Sequence, residues 1–253
     1  MGLNPKELLI YKFRSFVLFS NFVGNFMKKL IIANWKLNPT SLKDAQKLAE
    51  SINKTKKHTV VLCPPAIYLS QIKYPNLGAQ DCFWAEKGAF TGQTSAVQLK
   101  DLKVKYCIIG HSEKREFGGD TNEIVNAKIK SCLSNKLIPV LCVGYATSVE
   151  QDDLEVIDVL KQQLDVGLAG VDASEVVVAY EPVWAIGSGK TPTPEHAEKV
   201  ALFIKSKYGV EKVLYGGSAN VATSPGMLKE RNVDGLLVGG ASLIDSQFNE
   251  IIN

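Results

Sequence analysis

Between Leu30 and Val238, eight short runs of apolar, largely β-branched residues alternate with stretches of helical periodicity. That alternation constrains the fold more than any other feature of the chain. The runs are Leu30–Ala33, Thr59–Cys63, Leu77–Ala79, Tyr106–Ile109, Ile138–Val143, Val176–Tyr180, Lys212–Tyr215 and Gly235–Val238. Runs this short and apolar suit strands buried on both faces, as in parallel sheets covered by helices. Helical patterns fall between them. One begins after Ser41, a plausible N-cap; another spans Val149 to Leu168; a third begins at Thr193-Pro194, with Thr at the cap and Pro at the first helical position. Eight strand–helix units in roughly 250 residues predict a closed (β/α)8 barrel, a single-domain α/β fold. An open doubly wound sheet is the alternative, but the first turn carries Asn34-Trp35-Lys36 where such folds place a Gly-x-Gly-x-x-Gly loop. No linker-like or low-complexity stretch divides residues 28–253.

In a barrel of this kind, chemistry gathers where strands run into helices. The first strand ends in Asn34 and Lys36, two positions apart and so on one side of an extended chain. Lys36 offers a compact cation for a phosphorylated or developing anionic group. The fourth ends in Gly110-His111-Ser112-Glu113, where His111 could act as acid, base or electrophile, although a lone His in this position reads first as a hydrogen-bonded core histidine. The seventh and eighth finish in Gly216-Gly217-Ser218 and Gly239-Gly240-Ala241-Ser242. Glycine pairs let backbone N–H groups approach an anion, and phosphate sites recur after these two strands.

The sixth strand runs directly into Glu181, and Pro182 cannot continue a central ladder. An apolar patch from Val183 to Ile186 follows, then Gly187-Ser188-Gly189 and Pro192. Taken alone, this segment reads either as a lid beside a general base or as an ordinary loop with a solvated carboxylate.

Composition narrows the function class. The formal net charge is +3, of which residues 1–27 hold +2 (Lys6, Lys12 and Arg14 against Glu7), leaving +1 on the rest. A near-neutral body without a long basic run argues against nucleic acid as a partner. Five cysteines, an odd number without metal-ligand pair spacing, suggest reduced thiols and a cytoplasmic location. Residues 1–26 fit neither a signal peptide nor a membrane span, since Lys12 and Arg14 interrupt their apolar run. The expected organisation is an N-terminal extension over residues 1–26, non-catalytic or a peripheral amphipathic anchor, and a catalytic barrel over 27–253, with Met27 as a natural start.

Asn34-Trp35-Lys36, Gly110-His111-Ser112-Glu113, Tyr180-Glu181-Pro182-Val183-Trp184-Ala185-Ile186-Gly187, Tyr215-Gly216-Gly217-Ser218 and Gly239-Gly240-Ala241-Ser242 closely resemble, in order and spacing, the motifs of the triosephosphate isomerase family. The resemblance covers essentially all of residues 28–253. It implies interconversion of dihydroxyacetone phosphate and D-glyceraldehyde 3-phosphate, without cofactor or metal. It implies Glu181 as base, His111 as the group polarising the carbonyl, and Asn34 and Lys36 on the enediolate oxygens and phosphate. Glu113 would support Lys36, while backbone near Gly187, Ser218, Gly239 and Gly240 would grip the phosphate. It also implies a cytoplasmic homodimer, with Ala89–Thr94 docking on the partner and no membrane association. Four positions depart from the usual pattern: Lys114 stands where Arg is usual, Gln93 where Glu is common, Asp81 where Asn is common, and Pro192 stiffens the far hinge of the expected lid.

Overall fold

The computed structural model describes residues 28–148, 153–185 and 191–253. Eight parallel strands make one sheet: β1 (Leu30–Asn34), β2 (Thr59–Cys63), β3 (Gly78–Ala79), β4 (Tyr106–Ile109), β5 (Ile138–Val143), β6 (Val177–Tyr180), β7 (Lys212–Tyr215) and β8 (Val233–Val238). Their order is β2-β1-β8-β7-β6-β5-β4-β3, with β1 paired to both β2 and β8. A bridge between Leu62 and Leu77 brings the two ends of that order together and closes the barrel. This β2–β3 seam is thin, and side chains stitch it. The Asn76 amide donates to the Val60 carbonyl at 3.1 Å, and the Gln80 amide donates to the carbonyls of Cys63 and Lys36 at 2.9 and 2.8 Å.

Helices cover the outside: α1 (Leu42–Ser51), α2 (Ala96–Asp101), α3 (Ser112–Gly118), α4 (Asn122–Ser134), α5 (Asp153–Gly167), α6 (Pro194–Tyr208), α7 (Ser224–Lys229) and α8 (Asp245–Ile252). The expected caps are in place. Ser41 accepts from the Asp44 N–H, and Thr193 accepts from the His196 N–H with Pro194 following it. The expected helix from Val149 is described from Asp153 onward. Strand limits move by at most two residues. β8 begins at Val233 because Asp234, polar within an apolar strand, pairs with Lys205 at 2.7 Å and accepts from the Val213 N–H. No helix among the described residues is long and apolar enough to cross a membrane.

The strand period of two divides the core. Leu30, Ile32, Val61, Cys63, Ile108, Val140, Cys142, Val177, Ala179, Leu214 and Leu237 fill the barrel interior. Their neighbours in sequence, such as Ile31, Val60, Leu62, Ile109, Leu141, Val178 and Leu236, pack outward under the helices. Continuing the inward parity past each strand end places Asn34, Gly144, Glu181, Gly216 and Gly239 over the barrel axis. The site is therefore an extension of the interior stripe.

Candidate active site

Asn34, Lys36, His111, Glu181, Ser218, Gly239 and Gly240 line one cavity of about 470 Å³ at the C-terminal mouth of the barrel. That volume suits a small metabolite. Glu113 stands in an adjoining hollow walled by Gln80, Asp81, Gln93 and Thr94, and reaches the first through Lys36. Gly187, expected at the phosphate, lies outside the described residues.

Glu181 leaves β6 with its backbone still in register, its N–H donating to the Val143 carbonyl at 2.7 Å. The residue as a whole is 1% exposed. Oε2 accepts from the Ser112 N–H at 3.1 Å, whereas Oε1 is buried without a hydrogen-bond partner among the described residues. The His111 Nε2 lies 3.2 Å from Oε1 but off the line of a hydrogen bond. A buried carboxylate oxygen left unpaired is costly to fold around, and it is also an oxygen ready to take a proton.

Two glycines shape this position: Gly144, which sequence reading passed over, and Gly216, which it read only as part of an anion-approach turn. Gly144 has φ +111°, and a Cβ there would stand 2.3 Å from the Glu181 carbonyl oxygen. A Cβ at Gly216 would come within 3.0 Å of the Glu181 Cγ. Neither contact is visible without the third dimension, although Gly144 follows an apolar strand as the other site residues do. Beneath Glu181, burial and then the neighbouring carboxylate raise the Cys142 thiol well above its usual range.

His111 caps α3. The Glu113 N–H donates to its Nδ1 at 3.2 Å, so Nδ1 acts as acceptor and the ring proton is assigned to Nε2, which faces the cavity. The histidine is thus both the buried, hydrogen-bonded residue of one reading and a cavity donor, as in the other. Ser112 and Glu113 use the N-terminal N–H groups of the same short helix for two jobs, holding Glu181 and fixing the imidazole.

Lys36 departs from the extended path expected for it. Its φ is +53°, because Asn34 Oδ1 accepts from the Lys36 N–H at 3.1 Å and turns the chain. The ammonium reaches Glu113 Oε1 at 2.6 Å, and its stem passes over Gly239, where a Cβ would lie 3.4 Å from Lys36 Cε. At Gly240 an added Cβ would meet nothing within 4 Å, so the protein's own packing does not demand glycine there. The space it leaves opens into the cavity. The glycine pair leads into a short 3₁₀ turn, Gly240–Leu243, with the Ser242 hydroxyl donating to the Gly239 carbonyl at 2.7 Å.

Two of the unusual positions meet each other. Lys114 pairs with Asp81 at 2.9 Å, and Asp81 also accepts from Lys128 at 2.7 Å. Lys128, nearly fully buried, holds Asp120 at 2.8 Å as well. A lysine at position 114 suffices because its partner is a single carboxylate oxygen, which needs no planar fork.

A buried interior-facing carboxylate, a histidine presenting N–H, a lysine and paired glycines share one (β/α)8 mouth, a set of groups suited to moving protons on a small anionic substrate. Residues 29–253 match the family model described as triosephosphate isomerase. Proteins of that name from Alkaliphilus oremlandii and Thermoanaerobacter pseudethanolicus are each 41% identical to this chain, and the one from Caldanaerobacter subterraneus is 42% identical. Each match spans 90% of this chain and 100% of the relative. The chain belongs to the triosephosphate isomerase family.

Proposed function

We propose that this chain carries out its family's reaction, the interconversion of dihydroxyacetone phosphate and D-glyceraldehyde 3-phosphate in glycolysis, with Glu181 as the proton-transferring base. The observation that carries this assignment is the carboxylate's asymmetry, with Oε2 held by the Ser112 N–H and Oε1 buried and unpaired. Oε1 takes the proton from the carbon next to the carbonyl and returns it to the neighbouring carbon. His111, its proton on Nε2, polarises the carbonyl oxygen and relays protons between the two enediolate oxygens; this Glu/His division of labour is the one the family is known for. Asn34 and Lys36 balance the charge that develops on the enediolate, and Glu113 steers the Lys36 ammonium through their 2.6 Å pair. Backbone N–H groups at Ser218, Gly239 and Gly240, joined by Gly187, hold the phosphate. The base requires exclusion of water, since an ordinary carboxylate is weak towards a carbon acid. The expected lid runs from Val183 to Lys190, with Pro192 at its far hinge, and its residues 186–190 lie outside the described residues.

The working enzyme is a cytoplasmic homodimer in which Ala89–Thr94 docks on the partner. Exposed Trp84 and Phe90, the latter in that loop, lie 5.4 Å apart between ring centroids and pack on Phe83 at 4.8 and 4.7 Å in tilted and edge-on arrangements, forming an apolar surface. Residues 27–253 form the catalytic unit and residues 1–26 are dispensable for turnover; equal kcat for full-length protein and a version beginning at Met27 checks this.

The central test is Glu181→Asp, which withdraws the carboxylate by about one methylene. Coupled isomerase kinetics should show kcat falling far more than KM changes. An unchanged kcat would remove Glu181 from its role.

A further inference from the structure

Three of the five cysteines converge at a point the isomerase chemistry does not use. Cys82 follows β3, Cys107 lies on the outward face of β4, and Cys132 comes from α4. Their sulfurs all lie within 4.8 Å of one another, with Cys82 and Cys132 at 3.5 Å. All three are buried and none is in a disulfide. Sulfurs sharing one central atom through bonds of about 2.3 Å at near-tetrahedral angles stand about 3.8 Å apart. The cluster is thus close to ligating geometry before anything enters it.

The surroundings select among thiophilic ions by charge. The nearest cation, Lys128, is already matched by Asp81 and Asp120 at 2.7 and 2.8 Å, and Lys114 also pairs with Asp81. Two lysines against two aspartates leave no surplus positive charge. Three thiolates on a monovalent centre would carry two negative charges, on a divalent centre one, and on a trivalent centre none. The thiols belong to the apolar shell between strands and helices, where an uncompensated charge is expensive.

We infer that Cys82, Cys107 and Cys132 form a binding site for a trivalent thiophilic centre, arsenic(III), held as a neutral trithiolate. The step is a condensation. Arsenous acid, As(OH)3, loses its hydroxyls, three sulfur–arsenic bonds replace three arsenic–oxygen bonds, and the thiol protons leave with the hydroxyls as three waters. No oxidation state changes.

The test uses reduced, metal-free full-length protein incubated with equimolar arsenite and read by native intact mass spectrometry. One adduct per chain is expected, heavier by one arsenic atom less three hydrogens, with a matching rise in Tm. The adduct should be lost in Cys107→Val and in Cys132→Ala, judged on whichever remains folded by circular dichroism, and kept in Cys63→Ala. No adduct, an adduct retaining a hydroxyl on arsenic, or an adduct surviving both cluster substitutions overturns the inference. Zinc retained at one equivalent per chain while arsenite is refused overturns the charge argument on which it rests.

Discussion

Gly144→Ala tests the packing that aims Glu181, the proposed base, without altering its side chain. An alanine Cβ at this position would stand 2.3 Å from the Glu181 carbonyl oxygen, against about 3.4 Å for ordinary contact. One backbone must retreat by the difference, about 1.1 Å, and Gly144 itself is held by the Gln163 amide oxygen at 2.8 Å. A displacement of roughly 1 Å at a reacting group costs about 100-fold in rate. The proposed phosphate cradle follows β7 and β8, so KM should shift much less than kcat. A φ of +111° adds strain on the order of 1–3 kcal/mol. Gly209→Ala supplies the control for that strain. Gly209 has φ +72° at the C-cap of α6, and an added Cβ there meets nothing within 4 Å. It should lose about 1 kcal/mol of stability and no kcat. The assay is steady-state isomerase kinetics beside thermal melting of both variants. A folded Gly144→Ala protein with kcat within about threefold of the parent would refute the claim that this contact positions Glu181.

Two further substitutions probe buried charge. Lys128→Met removes the ammonium between Asp81 and Asp120 and should cost about 3–5 kcal/mol, read as a large fall in Tm, because it strands the buried Asp120 carboxylate while Asp81 keeps Lys114. His58 is buried with Nδ1 unpartnered, and burial, then the charges of Lys57, Lys29 and Lys28, hold its pKa below the ordinary 6.5. The unfolded chain therefore takes up a proton near pH 6.5 that the folded chain refuses, so stability falls as pH drops below that point. His58→Gln should flatten this acid-side slope in Tm measured against pH; an unaltered slope would assign it elsewhere.

The strands were legible because burial on both faces leaves short, uninterrupted apolar runs. Asn34 and Glu181 were legible as the polar residues at which the first and sixth of those runs end, whereas the division of each run into inward and outward residues emerged only with the closed barrel. His111 was ambiguous from sequence because its tautomer depends on the Glu113 N–H, a cap geometry that exists only once α3 forms. The free and held oxygens of Glu181 depend on Ser112, sixty-nine residues away in sequence. Cys82, Cys107 and Cys132 share no spacing rule because three separate elements supply them. Lys114 and Asp81 read separately as departures, and only their 2.9 Å contact shows that they answer each other.

The seam between β2 and β3 has a mechanical consequence. A ring of strands is strong only as its weakest join, and here one bridge and two side-chain amides do what longer ladders do elsewhere. The Gln80 amide that clasps this join also grips the carbonyl of Lys36. Any breathing of the barrel that begins at the join would slacken the cation's footing first. The hoop and the charge at its rim share one buckle, so loosening of the fold would register as a loss of charge placement before the core itself is exposed.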